Sequence, residues 1–550
     1  MAEPIAEQVI AGIPAAEGLV IGRIAREGGA RPGGYQAGRR IGSSSEEREA
    51  LLAAVAQAKA ELAALVAGED ELAAEILEFQ QALLEDDDLL APVFEAVQAG
   101  ASAQGAWDQA LDREIAEYRS GEEAYLSARA ADLADLKGRV LRALAGEGDG
   151  GQGAQHTALA KGAILVAEDL TPSRFLELDW QRLGGGAIRG GSKTSHVAIL
   201  ARARGIPLIV GLEAELDRLA PDAPAVLDAE AGRLILAPSD GTLAQVQSRI
   251  QARAEGDAAA TEALAEGAVT AEGERVQVLI NVDDPAILDG LSPAHCDGIG
   301  LTRTEFLFAG EEPPDEAAQL AVYRRILAWA GGKPVTIRTL DAGGDKPIPG
   351  VSMEAESNPF LGQRGLRLSL AHPEVFRVQL RALARAAAEG PLKVMLPMVT
   401  LPAELAQARR LLDEVLAELA AEGVAHGTPA LGIMIEVPAA ALTAGDFAAD
   451  FYSIGSNDLV QYLMAAARDN PALAALALAD HPAVIELIQR SVAAARARGV
   501  EIGLCGDLAS DPATVPLLLD CGLRSLSVAP AQLGRVKLAL RGYRGKAAGP

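Results

Sequence analysis

The sequence predicts a multidomain α/β protein: a C-terminal (β/α)8 barrel of the TIM type, a smaller α/β domain ahead of it, and an all-α helical bundle inserted into that smaller domain. Three observations predict it. From about residue 274, eight short apolar segments alternate with helical ones over a length that suits one barrel. Between 43 and 146 almost every residue is a good helix former, with few glycines or prolines. Between these regions short strands and helices alternate over about 85 residues, an ordinary domain size. A chain of 550 residues has room for several cores.

In chain order, residues 9–25 (VIAGIPAAEGLVIGRIA) carry apolar runs broken by Gly and Pro. They read as a strand or two, and residues 1–30 are assigned to the smaller α/β domain. Ser43, Ser44 and Ser45 followed by Glu46 and Glu47 form a capping-box pattern that opens the helical region, 31–147. Gly68, Pro92, Gly100, Gly105 and Gly121 fall where helices can end. GEGDGGQG at 146–153 has the composition of a linker. The α/β domain then spans 154–238, with strands at Ala163–Ala167, Ile206–Val210, Val226–Asp228 and Leu234–Ala237. An Ala-rich linker helix covers 239–270, and the barrel 271–545. Its eight candidate strands are Val276–Val282, Gly298–Leu301, Val335–Leu340, Val394–Met398, Leu431–Val437, Phe451–Gly455, Ile502–Cys505 and Ser525–Val528.

Composition narrows the function classes. Forty-nine basic and 76 acidic residues give a formal charge of −27, which argues against nucleic acid or an anionic membrane as a general partner. Any anion site must be local. The helical region alone holds 22 acidic against 8 basic residues between 43 and 146. Such a bundle can dock a small basic protein or present a solvated face, and charge leaves both open. Cys296, Cys505 and Cys521 are scattered, without metal-ligand spacing, and fit a reducing compartment. No signal peptide and no run of about 18 apolar residues is found, so a cytoplasmic protein without membrane insertion is expected.

One histidine stands out. In RGGSKTSHVAILAR, glycines and hydroxyl residues lead into His196, and the following residues have helical periodicity, which places His196 at a helix N-terminus. Backbone N–H groups and the helix dipole there suit phosphate and disfavour a protonated imidazole. A neutral ring keeps a lone pair with which to accept a phosphoryl group. A plain capping histidine on the surface is the alternative, and this segment alone does not separate them.

In the barrel, Arg303, Arg338, Glu436, Asn457, Asp458 and Cys505 all fall at or just past the C-terminal ends of different strands, the end where such barrels build their sites. Arg303, Arg338, Arg364 and Arg468 supply guanidinium forks for phosphate or carboxylate. Glu436 and Asp458 supply hard oxygens for Mg2+. The set describes a small phosphorylated carboxylic acid held by arginines and magnesium. Cys505 is either a proton donor beside such a substrate or a small core residue.

These motifs resemble those of the phosphoenolpyruvate-protein phosphotransferases, the enzyme I family of the bacterial sugar phosphotransferase system. The resemblance runs over nearly the whole chain: DLTPS at 169–173, GGSKTSHVAILAR at 190–202, GIGLTRTEFLF at 298–308, IRTLDAGGDKP at 337–347, NPFLGQRGLR at 358–367, GIMIEVPAA at 432–440, SIGSNDLVQY at 453–462 and LCGDLA at 504–509. It implies that His196 accepts the phosphoryl group of phosphoenolpyruvate through Nε2. Arg303, Arg338, Asn457, Asp458 and Arg468 would bind the substrate, Glu436 and Asp458 would bind Mg2+, and Cys505 would protonate the enolate to give pyruvate. It further implies that the bundle docks the small carrier HPr, whose histidine receives the phosphoryl group. The α/β phosphohistidine domain would swivel, and the protein would be a homodimer through its barrel.

The sequence departs from the family pattern in three places. The histidine loop is one residue longer than the usual Gly-Gly-x-Thr-Ser-His. Asp469 follows Arg468 where Gly is common, and Gln80 replaces a histidine often seen in the carrier-docking region. Two rivals are weaker. A pyruvate phosphate dikinase or phosphoenolpyruvate synthase would need a nucleotide-binding domain, and no phosphate loop with a following Lys-Ser/Thr is present. A binding protein without turnover would be marked by loss of His196, an arginine or a metal carboxylate, and all are present.

Overall fold

A computed structural model describes residues 7–27, 42–66, 71–119, 124–146, 161–193, 195–213, 219–308, 310, 312–343, 356, 358–467, 470, 473 and 475–545. They fall into two compact units, divided between Ala252 and Arg253.

The first unit is built on an eight-stranded sheet. Its strands are β1 (Gln8–Ala11), β2 (Ile13–Ala16), β3 (Leu19–Arg26), β4 (Ala163–Ala167), β5 (Leu183–Ile188), β6 (Leu208–Val210), β7 (Pro224–Asp228) and β8 (Arg233–Leu236), in the order β1-β8-β7-β3-β4-β5-β6-β2. The N-terminal run forms three strands rather than one or two. Gly12 alone separates β1 from β2, and each of the three finds a different neighbour: β8, β6, and β7 with β4. Strand β5 (LGGGAI) is absent from the sequence reading. Its glycines are strand residues because neighbours lie too close for a side chain: a Cβ on Gly184 would sit 2.6 Å from Val20, and one on Gly185 2.7 Å from the Pro207 carbonyl.

Among the described residues, five helices follow β3: α1 (Ser44–Val66), α2 (Glu71–Leu83), α3 (Asp87–Gln98), α4 (Ala103–Arg119) and α5 (Ala124–Ala145). The capping box at the start of α1 pairs Ser43 with Glu46: Glu46 Oε2 accepts from the Ser43 N–H at 2.8 Å, and Ser43 Oγ from the Glu46 N–H at 3.3 Å. Glu47 is buried and instead caps α4, accepting the Ala103 N–H at 2.7 Å. The bundle does not close on itself. One continuous apolar core runs from Leu51, Leu77, Trp107 and Leu136 into Leu165, Phe175 and Leu200 of the sheet domain. Two short helices of that domain matter below: α6 (Pro172–Glu177) and α7 (His196–Ala203).

The division between the units falls within helix α8 (Asp240–Leu264), and the strands of the second unit form a closed, all-parallel barrel. They are β9 (Gln277–Val282), β10 (Ile299–Thr302), β11 (Val335–Arg338), β12 (Leu392–Leu396), β13 (Ala430–Ile435), β14 (Phe451–Gly455), β15 (Glu501–Cys505) and β16 (Ser525–Val528). All eight candidate segments are strands, and the fold class read from the sequence is borne out. The fourth is shifted towards its N-terminus because the chain leaves the ladder at Pro397 and Met398 turns into the left-handed region at φ 56°. Inward side chains of Leu301, Met395, Met434, Phe451 and Cys505 fill the barrel as a packed core. Among the described residues no helix is long and apolar enough to cross a membrane.

Candidate active site

In the first unit, His196 is the first residue of α7, with Ser195 as its N-cap. Ser195 Oγ accepts the Ala198 N–H at 3.4 Å. The longer loop is tied to its own helix, since Arg202 donates to the Lys193 carbonyl at 2.8 Å. Thr194 lies outside the described residues. The helix start holds the ring as the sequence predicts, but the ring's partner comes from the bundle: Nδ1 lies 3.1 Å from Oδ1 of Asp132 on α5. Asp132 is wholly buried while the His196 side chain is 26% exposed. The same helix grips the sheet domain at two further points. Asp135 accepts from the Ser173 N–H at 3.2 Å and its hydroxyl at 2.8 Å, and Arg139 donates to Glu177 at 2.7 Å and to Glu61 at 2.8 Å. Gln80 belongs to this internal network. Its side chain is fully buried, donating to Asp135 Oδ2 at 3.2 Å, so it is not surface for a partner.

In the second unit, the C-terminal mouth of the barrel gathers the remaining charged candidates. Arg338, at the end of β11, donates to Glu305 Oε1 at 2.7 Å and lies 2.8 Å from Asp341 Oδ2. Arg364 forks onto Asp341, with both bonds at 3.0 Å, and onto Asp458 at 2.9 and 3.3 Å. Acid and base therefore alternate in one line, buried but for part-exposed Glu305: Glu305, Arg338, Asp341, Arg364, Asp458. Burial works against the charge on both arginines, but the neighbouring carboxylates more than offset it and hold them cationic. Arg303 lies at the rim, half exposed, paired with Asp283 at 2.6 Å.

Glu436 follows β13 and is 1% exposed. Its Oε1 accepts the N–H of Met398 at 2.6 Å, which the unusual φ of that residue turns inward. Gly455 leaves room for the other oxygen, for a Cβ there would lie 2.9 Å from Oε2. Burial, then the charges of Asp458 and Asp341, push the Glu436 carboxyl up to about 8. Asn457 opens the helix Ser456–Met464 and accepts the Asp507 N–H at 2.9 Å. Gly506, at φ 101°, permits that approach, since a Cβ would meet Ser456 Oγ at 2.4 Å.

Cys505 ends β15 with 1% exposure, its thiol 3.5 Å from both Ser453 Oγ and the Ile454 carbonyl. Burial pushes the thiol up, so it stays protonated near neutrality. Arg468 and Asp469 lie outside the described residues. Among the described residues no group of three His, Cys, Asp or Glu gathers as a ligand set. Glu436 and Asp458, the two carboxylates expected from the sequence to meet a cation, both lie at this mouth, Asp458 paired with Arg364. The sequence reading passed over Asp132, Glu305 and Asp341. The latter two stand inside the quoted motifs GIGLTRTEFLF and IRTLDAGGDKP, and an arginine about to be buried needs such partners.

The chain matches three family models in order. They are PEP-utilising enzyme, N-terminal, over residues 11–129, PEP-utilising enzyme, mobile domain, over 159–232, and PEP-utilising enzyme, PEP-binding domain, over 257–544. A phosphoenolpyruvate-protein phosphotransferase of Geobacillus stearothermophilus is 38% identical over 556 residues, covering 98% of this chain and 95% of its own. The chain belongs to the phosphoenolpyruvate-protein phosphotransferase family. Another family member, from Haloferax volcanii, is 39% identical over 480 residues, 86% of this chain and 82% of that one. A multiphosphoryl transfer protein of Rhodobacter capsulatus is 40% identical over 472 residues, 85% of this chain, which spans only 56% of that longer relative. His196 lies within the mobile-domain match and the barrel residues within the PEP-binding match. Asp132 falls between the first two matched regions.

Proposed function

We propose that this protein takes the phosphoryl group of phosphoenolpyruvate onto His196 Nε2, releases pyruvate, and passes the group to a histidine of an HPr carrier, the first step of the sugar phosphotransferase system. The observation that carries this reading is the line of buried arginines and carboxylates at the mouth of a barrel matched as a PEP-binding domain. Arg303, Arg338, Asn457 and Arg468 hold the substrate, as the family resemblance implies, and Arg364 keeps Asp341 and Asp458 in place. The His196 lone pair attacks phosphorus, the bond from phosphorus to the enol oxygen breaks, and the resulting enolate takes a proton at carbon from the Cys505 thiol. The raised thiol supports an acid rather than a nucleophile.

Mg2+ fits the donor set: two buried carboxylates, one pushed up by burial and then by the other's charge and lodged over a glycine, gain from a divalent cation. Glu436 and Asp458 would hold it, and once bound it neutralises phosphate charge. The acidic bundle would receive the carrier. A homodimer through the barrel is what the family resemblance implies. A cytoplasmic setting agrees with three scattered, buried cysteines.

The test is intact mass at neutral pH after mixing with phosphoenolpyruvate and Mg2+. A gain of one phosphoryl group that is lost in acid and absent from His196→Ala supports the proposal. No gain in folded protein overturns it.

A further inference from the structure

We infer that Asp132 is a positioning residue for His196: the bundle supplies the carboxylate that holds the ring's Nδ1–H tautomer and so presents Nε2 unprotonated. The inference deepens the function proposed above and rests on it. A carboxylate only accepts, so a hydrogen bond between Asp132 Oδ1 and Nδ1, 3.1 Å apart, places the ring proton on Nδ1. The lone pair is then on Nε2, on the far side of the ring from α5. Free imidazole side chains favour the opposite tautomer, so this preference has to be imposed by the fold.

Two further observations separate Asp132 from a chance contact. It is wholly buried, and its Oδ2 has no hydrogen-bond partner among the described residues, so the carboxylate sits where packing alone would not place it. It is also held rigidly. Asp132, Asp135 and Arg139 lie three and seven residues apart on one face of α5, and the other two are fastened to Ser173 and Glu177 of α6. The carboxylate therefore meets the histidine only while the sheet domain is seated on the bundle.

Charge gives the contact a role in the second half-reaction. With phosphorus on Nε2 and the proton retained on Nδ1, the ring is cationic and Asp132 compensates it. When an acceptor nitrogen attacks phosphorus, the N–P bond breaks, its electron pair returns to Nε2, and a neutral imidazole leaves. Without the carboxylate, the ring of the phosphorylated protein gives up the Nδ1 proton more readily and becomes a poorer leaving group.

The test uses the full chain labelled with 15N-histidine. Multiple-bond 1H–15N spectra report the tautomer of each of the six histidines, and His196→Ala identifies the one of interest. The expected result is an Nδ1–H ring in the wild type and a shift towards Nε2–H in Asp132→Asn, with transfer to a carrier slowed at least tenfold at unchanged carrier affinity. An Nε2–H or doubly protonated ring in the wild type overturns the inference, whether or not the variant folds. So does an Asp132→Asn protein that folds and transfers at the wild-type rate. If the wild type takes up no phosphoryl group, the proposed function falls and this inference with it. Uptake with the wrong tautomer removes this inference alone.

Discussion

Replacing Glu436 by Gln should change how the barrel's stability depends on pH. The carboxyl sits at about 8 in the folded chain against an ordinary value of 4.5, so between those values the native state holds a proton that the unfolded chain releases. Its contribution is full below 4.5 and is lost as pH rises through 8. At about 1.4 kcal/mol for each tenfold change in proton affinity, the whole difference is roughly 4–5 kcal/mol. Gln keeps the shape and an oxygen for the Met398 N–H but has nothing to titrate. Metal-free wild type should lose roughly 3 kcal/mol more than Glu436→Gln between pH 5 and 7.5. Urea unfolding in EDTA at several pH values, with hydrogen exchange on peptides from 430–460 to follow the barrel, measures this. Mg2+ should reverse the wild-type loss, release a proton on binding near neutrality, and leave Glu436→Gln unaffected. Parallel pH profiles for the two proteins would refute the reasoning, because they would show the carboxylate ionised at ordinary cost.

Other perturbations have defined outcomes. Gly506→Ala forces a Cβ against Ser456 Oγ at a backbone angle only glycine adopts easily. It should cost about 1–3 kcal/mol in calorimetry and weaken substrate binding through Asn457. Arg139→Ala removes a buried guanidinium from part-exposed Glu61 and Glu177, of which Glu177 keeps Arg174. It should cost about 1–3 kcal/mol and lower hydrogen-exchange protection at 172–177. A thiol reagent added to native protein at pH 7 should find none of Cys296, Cys505 and Cys521, all buried, and should find all three after denaturation; rapid native labelling of Cys505 would contradict its packing.

What was legible in the sequence was whatever periodicity or a strand end determines. The barrel strands stand out because each is a short apolar run closed by turn residues, and the site residues follow because barrel chemistry collects at strand ends. Strand β5 was hidden because LGGGAI has the composition of a loop; only the nearness of Val20, Pro207 and Leu227 makes those glycines strand residues. The third N-terminal strand was hidden because strand breaks of one or two residues leave no separate signal. Gln80 was noted only as a replacement in the carrier-docking region, yet its amide donates to a buried Asp135 far along the chain. Asp132 was invisible for the same reason: 64 residues separate it from His196, and nothing local in ARAADLADLKGR says which acid faces inward.

The mouth of the barrel poses an electrostatic problem whose solution follows from its residues. Among the described residues, Arg338 and Arg364 bridge Glu305, Asp341 and Asp458, with Glu436 buried beside them, while Arg303 pairs with Asp283. Each of these three guanidiniums is already engaged by a carboxylate, which an incoming phosphorylated carboxylic acid would have to displace. Protonating Glu436 removes one negative charge, and the folded chain does this below about pH 8. A divalent cation on Glu436 and Asp458 would displace that proton, neutralise both carboxylates and free Arg364 from one of its acids. Arg338 still has to exchange Glu305 or Asp341 for the substrate phosphate, so the arginines are held in place by the contacts they must later give up. On this reasoning metal and substrate bind with positive coupling: each should tighten the other in calorimetric titration, and Glu436→Gln, which removes a charge and a ligand together, should lower that coupling more than it lowers substrate affinity without metal.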